Sequence, residues 1–131
     1  PILGADGFDS PDLVKLAGED ALNDIYFSNH YSSLDEDPLV VQFIEDFNEE
    51  YGREPDAFNA LGYDLAMFVV DGLKRAGKVD REALKDALAS TEDFAGVTGS
   101  FSIDENHNPV KAIVVINLKD GKQHTSEKVS Q

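Results

Sequence analysis

The chain has no cysteine, and only 11 of its 131 residues are lysine or arginine. Without cysteine there is no disulfide scaffold, no thiolate zinc site and no thiol nucleophile, and the compartment stays open. Against those 11 basic residues stand 26 acidic ones, a formal charge of -15. A nucleic-acid or anionic-membrane partner is excluded on that ground, because both surfaces would repel it. The acidity is scattered along the chain rather than gathered in blocks, so it reads as a solubilising surface, with cation binding as the alternative. No apolar run is long enough to span a bilayer, and no segment has the pattern of a signal peptide. Catalytic signatures are also missing. Gly4 and Gly7 lack the third glycine of a dinucleotide loop, and no serine sits in a Gly-x-Ser-x-Gly elbow. The three histidines, His30, His107 and His124, show no metal-ligand spacing. In so acidic a chain, paired carboxylates are no sign of acid–base catalysis.

What is present is a foldable chain. An apolar fraction of 41% argues against disorder, and 131 residues suit one domain. The start at Pro1, inside an apolar segment and without methionine, has the look of a fragment or a processed piece. The longest helical pattern covers residues 55–76, with Asp56 as its cap and Gly77 as its stop. Apolar residues lie on nearly every face of it, and Asp64 and Asp71 share one narrow polar strip. Such a helix is expected to be covered on most sides, at the centre of a layered α/β fold, with Phe58 exposed at its rim.

Before it, residues 1–11 read as the end of a short buried strand, a glycine-bracketed turn and a helix opened by Ser10 and Pro11 and closed by Gly18. Asp6 lies in that turn, at the mouth of a strand, where open α/β sheets present ligand contacts. The alternative is an aspartate that satisfies turn amides. Residues 24–31 favour a strand, with Ile25, Phe27 and Asn29 on one face and Tyr26, Ser28 and His30 on the other. Lone on that strand, His30 reads as packed or solvent-facing rather than as a base or ligand. Asp37 and Pro38 open a helix with Val40, Phe43, Ile44, Phe47 and Tyr51 in one apolar stripe, ended by Gly52.

After Gly77, Asp80 caps an amphipathic helix lined by Ala83, Leu84, Ala87 and Leu88. Residues 94–103 pass from a glycine-punctuated loop into a short strand. The turn at residues 104–109 alternates acidic and amide groups as a calcium loop does, but Pro109 replaces the required glycine and Val115 the bidentate glutamate. Residues 112–118 read as a strand buried on both faces, because Ile113, Val114, Val115 and Ile116 are contiguous. Asp120 and Gly121 form a hairpin turn, Lys122 to Thr125 return as an edge, and the tail from Ser126 to Gln131 is expected to fray.

Several short motifs follow one another in a specific order: Leu3-Gly4-Ala5-Asp6-Gly7-Phe8-Asp9-Ser10-Pro11, then Tyr26-Phe27-Ser28-Asn29-His30, then Phe47 to Tyr51 with Gly52-Arg53-Glu54-Pro55-Asp56-Ala57-Phe58. Leu61-Gly62-Tyr63-Asp64 and Phe94-Ala95-Gly96-Val97-Thr98-Gly99 with Asp104-Glu105-Asn106 complete the set. From Leu3 to about Lys122 the chain resembles the C-terminal part of the extracytoplasmic solute-binding proteins of branched-chain amino acid ABC transporters, of the leucine/isoleucine/valine-binding type. The resemblance implies a fragment of a two-lobed type I periplasmic-binding-protein fold, helix-rich with a few strands, that closes on an amino acid between its lobes. It implies that residues 1–31 and 111–131 belong to the C-terminal lobe and residues 32–110 to the N-terminal lobe.

By the same resemblance, Asp6 contacts the ligand's α-ammonium, and Phe58 lines the pocket for its side chain. An ammonium with three donors is well matched by an ionised acceptor in a closed, drier cleft. The implied partners are a small amino acid and a membrane permease, with no catalytic residue, metal or cofactor. An amino acid or amide-sensing receptor domain of the same fold is the alternative. Because the earlier part of the family's chain is absent, Ile25, Phe27, Val114 and Ile116 are expected to lack their usual neighbours. Rearrangement, pairing with the missing N-terminal part, or self-association would compensate.

Overall fold

A computed structural model describes residues 1–130. In chain order the elements are β1 (Ile2–Gly4), α1 (Pro11–Ala17), β2 (Ile25–Asn29), α2 (Pro38–Tyr51), α3 (Ala57–Ala76), α4 (Arg81–Ala89), β3 (Phe94–Gly96), β4 (Gly99–Ile103), β5 (Pro109–Val110), β6 (Ile113–Lys119) and β7 (Lys122–Val129). The fold is mixed α/β. One sheet has the order β1-β2-β6-β7, with β1 parallel to β2 and the other pairs antiparallel; a second, antiparallel, has the order β3-β4-β5.

The predicted caps form because each supplies what a helix end lacks. Ser10, Asp37, Asp56 and Asp80 each accept from a first-turn amide, and Pro11 and Pro38 occupy positions where no backbone donor is needed. At Asp56 the arrangement is reciprocal: its carboxylate accepts from the Asn59 amide, and the Asn59 side chain accepts from the Asp56 amide. Gly52 and Gly77 end α2 and α3 in the left-handed conformation. Asp120 and Gly121, both at positive φ, turn β6 into β7.

The four-stranded sheet buries the face carrying Ile25, Phe27, Ile116 and Leu118 against Phe8, Leu13, Val14 and Leu22. These strands therefore have neighbours, contrary to expectation: the turn after β1 and helix α1 fold back over the sheet and supply the covering side chains. Two other strand readings also change. β1 is an edge, paired only with β2, so Ile2 and Leu3 are exposed rather than buried. In β6, burial alternates: Val114, Ile116 and Leu118 point into the core, while Ile113 is exposed and Val115 only half-buried. Contiguity of apolar residues says nothing about which face is covered, and only one face meets α1. The return strand is longer than expected, because β7 pairs with β6 as far as Val129, so Ser126 to Val129 are ordered ladder; Gln131 lies outside the described residues.

A second core joins the helices. Tyr31, Val40, Phe43, Ala57, Ala60 and Val97 are buried together, with Ile44 and Phe47 packed against them. The apolar stripe of α2 thus faces the first turns of α3. Helix α3 is less covered than its composition predicts. Only Ala57, Ala60, Asp64 and Gly72 are buried in it, and Leu65, Phe58, Tyr63, Met67 and Val70 are exposed. It meets α2, α4 and residues 94–101, and these leave the five side chains just named open to solvent. Nor do Asp64 and Asp71 form a solvent-facing strip: Asp64 is buried, because its carboxylate is used within the fold.

That use is specific. Asp64 Oδ1 accepts from the Val97 amide at 2.8 Å, and Oδ2 accepts from the Thr98 amide at 2.8 Å and the Thr98 hydroxyl at 2.6 Å. Residues 94–103, expected to be loop and one strand, become the hairpin β3–β4 around this anchor. A Cβ at Gly96 would lie 2.5 Å from Asp64 Oδ2, so a side chain there is excluded by close approach. Phe68 of α3 packs edge-on against Phe94 and Phe101, which fixes the hairpin to the helix.

Tyr31, only 2% exposed, is the one buried side chain among the described residues whose polar atom, its hydroxyl, has no hydrogen-bond partner. Burial, with the nearby charges of Glu54, Asp9, Asp35 and Asp56, raises its pKa well above the ordinary phenol value. Tyr31→Phe keeps the ring's edge contact with Phe43 and removes an unpaired hydroxyl. It is expected to stabilise the fold by about 1 kcal/mol in urea denaturation. A loss of stability instead would show that the hydroxyl is bonded.

Candidate ligand-binding site

The turn after β1 is shaped by one close contact. The Phe8 ring folds back over Gly4, where a Cβ would come within 2.6 Å of it, and packs on Phe27 with ring centroids 6.3 Å apart. Asp6–Phe8 form a single 3-10 turn closed by backbone bonds: the Phe8 amide donates to Ala5 O and the Asp9 amide to Asp6 O. These amides take backbone carbonyls as acceptors, so the Asp6 carboxylate is not spent on them. It is half-buried and takes part in no ion pair or side-chain hydrogen bond among the described residues. Phe58 is the second residue of α3 and is 55% exposed.

Asp9 brings these two segments together. Its Oδ2 accepts from the Ala57 amide at 2.9 Å, across 48 residues of sequence, and from Asn29 Nδ2 at 3.0 Å. The residue three places after Asp6 is therefore bonded to the residue just before Phe58. Asn29, at the end of β2, is 1% exposed, and its Oδ1 accepts from the His30 amide. Gln123 adds a third tie: its Nε2 lies 3.4 Å from Asp9 Oδ1, and its Oε1 accepts from the Ser32 hydroxyl and the Ser33 amide. Sequence reasoning missed Asp9, Asn29 and Gln123 as site-forming residues. The signal available was Asn29 itself, an amide on the same strand face as Ile25 and Phe27, where a buried polar group needs a partner.

Elsewhere, Lys128 Nζ pairs with Asp35 at 2.7 Å. Burial pushes the Asp35 carboxyl up, but the Lys128 bond and the Asp37 amide outweigh it and hold its pKa below the ordinary value. Surface cavities of about 300 to 500 Å³ have neither Asp6 nor Phe58 in their walls. Among the described residues, no group of three or more His, Asp or Glu side chains is placed to hold a metal ion, and no helix is long and apolar enough to cross a membrane.

The family model for periplasmic binding proteins matches residues 1–123. The chain belongs to that family. Among curated periplasmic binding relatives, it is 25% identical over 130 residues to Leu/Ile/Val-binding protein homolog 7 of Brucella abortus, a match that takes in 92% of this chain. The chain spans about a third of the length of that relative, 33%. Among solved structures it is similar to the branched-chain amino acid transporter substrate binding protein LivJ of Streptococcus pneumoniae in complex with isoleucine. That likeness has 35% identity and a TM-score of 0.91, over 100% of this chain and 37% of that one. A solute binding protein of an ABC transporter from R. palustris in complex with benzoate is 28% identical, with a TM-score of 0.75, over 90% of this chain and 34% of that one. The fold is thus that of one part of a type I periplasmic binding protein.

Proposed function

We propose that this segment supplies one wall of the cleft in which an ABC-transporter solute-binding protein captures a small aliphatic amino acid for delivery to a membrane permease. The observation that carries this reading is the bond from the Ala57 amide to Asp9, which ties the segment holding the unspent Asp6 carboxylate to the start of α3, where Phe58 is exposed. A carboxylate on one segment and an exposed aromatic ring on the other suit an α-ammonium bearing an aliphatic side chain. Asp6 meets the ammonium and Phe58 the side chain. Residues 1–31 and 111–131, the stretches that contain β1, β2, β6 and β7, form one lobe, and residues 32–110, with three helices and the small sheet, form the other. The rest of the cleft comes from the remaining two thirds of a whole solute-binding protein, or a second copy of this chain takes its place over α3 and the β1 edge. The role is capture by closure around a ligand, without turnover and outside the cytoplasm.

A panel of ligands tests this reading. In a full-length solute-binding protein carrying this segment, L-leucine, L-isoleucine and L-valine are expected to raise the melting temperature, and benzoate is not. Benzoate has no ammonium, and Asp6 would face its carboxylate with like charge. Stabilisation by benzoate with no response to the amino acids would overturn the assignment.

A further inference from the structure

Asp9 accepts only from segments distant in sequence. At the start of helix α3, Asp56 and Asn59 cap each other reciprocally. Those two caps use the Asp56 and Asn59 amides and leave the Ala57 amide open, and Asp9, from a distant segment, accepts from it. This bond places a carboxylate at the positive end of a 20-residue helix, where the dipole and the donor direction both favour it. The same oxygen accepts from Asn29, buried at the end of β2, where the chain leaves the four-stranded sheet. Gln123, at the start of β7, closes the network by reaching Asp9 and, just after that exit, the Ser32 hydroxyl and the Ser33 amide. Three segments, 20, 48 and 114 residues away from Asp9, thus meet at its carboxylate.

We propose that Asp9 is a positioning residue, a clasp that holds the Asp6 turn and the first turn of α3 in the alignment that binds ligand. The inference rests on the reading of Asp6 and Phe58 as ligand contacts. Asp9 touches no ligand. It sets the population of chains in which the ammonium acceptor and the aromatic wall are correctly spaced. If loss of the clasp leaves about 1 to 10% of molecules so aligned, the apparent dissociation constant rises roughly ten- to a hundredfold.

The test uses a full-length solute-binding protein carrying this segment, with L-isoleucine as probe and temperatures well below each variant's melting range. Asp9→Ala is expected to speed hydrogen exchange at the Ala57 amide, leave Phe27 and Ile116 protected, and weaken L-isoleucine binding about ten- to a hundredfold. Asp9→Asn keeps an acceptor for Ala57 and recovers part of the affinity, which also guards against a variant that does not fold. Unchanged exchange at Ala57 overturns the clasp, as does lowered stability with unchanged affinity. Asp6→Ala measured beside them separates the two ideas. If it too leaves affinity unchanged, the ligand assignment of Asp6 fails and the positioning role fails with it. If Asp6→Ala weakens binding and Asp9→Ala does not, only the clasp fails.

Discussion

Replacing Asp64 with alanine is expected to destabilise the fold by about 3 to 5 kcal/mol, the largest stability effect of any single substitution considered for this chain. The carboxylate is 4% exposed and accepts three hydrogen bonds from Val97 and Thr98. Alanine would leave two amides and a hydroxyl without that acceptor in a buried turn, and each such loss costs about 1 to 3 kcal/mol. A charge would also lose its counterpart. Lys111 Nζ donates to the Thr98 hydroxyl at 2.6 Å, and that hydroxyl donates on to Asp64, so a half-buried ammonium and a buried carboxylate share one bridge. Burial lowers the Lys111 pKa, and Asp64 opposes that shift; without Asp64 the lysine is held further below its ordinary value. Asp64→Asn should cost less, about 2 kcal/mol, because one oxygen remains, yet its NH₂ must face an amide donor. Urea denaturation with an unchanged slope measures the loss, and faster exchange at the Val97 and Thr98 amides locates it. A cost below about 1 kcal/mol for the alanine variant would mean that the hairpin does not depend on this anchor.

The largest effect on binding is expected at Asp6. In a full-length solute-binding protein carrying this segment, Asp6→Ala should weaken affinity for an aliphatic amino acid by about 2 to 5 kcal/mol, the range for removing one partner of a desolvated charge pair. Most of the loss should appear as faster dissociation, since the pairing acts after encounter. Stability should hardly move, because the Asp6 side chain makes no hydrogen bond or ion pair among the described residues. That separation of affinity from stability is the signature of a ligand contact. An aspartate that merely satisfied its own turn would show the reverse.

How far the sequence carried this account depends on whether the partner of each residue was local. Caps at Ser10, Asp37, Asp56 and Asp80 were legible because their acceptors and donors lie within one helical turn. The hairpin at Asp120 and Gly121 was legible for the same reason. Burial of α3 and β6 was not, since an apolar residue states a preference for cover and says nothing about whether another element arrives to provide it. Asp64 looked like a surface residue because its partners lie 33 and 34 residues away. The site shows the same division. Asp6 and Phe58 stood out through a family resemblance carried by short motifs, whereas Asp9 joins them by a bond across 48 residues that no local pattern announces.

Recognition of a ligand ammonium by Asp6 can be read by calorimetric titration of L-isoleucine and its des-amino analogue, 3-methylpentanoate, into a full-length solute-binding protein carrying this segment and its Asp6→Ala variant. The unaltered protein is expected to prefer the amino acid by at least about 2 kcal/mol, and the variant to lose that preference. If the preference survives unchanged without the carboxylate, the ammonium is read elsewhere and the assignment of Asp6 is wrong.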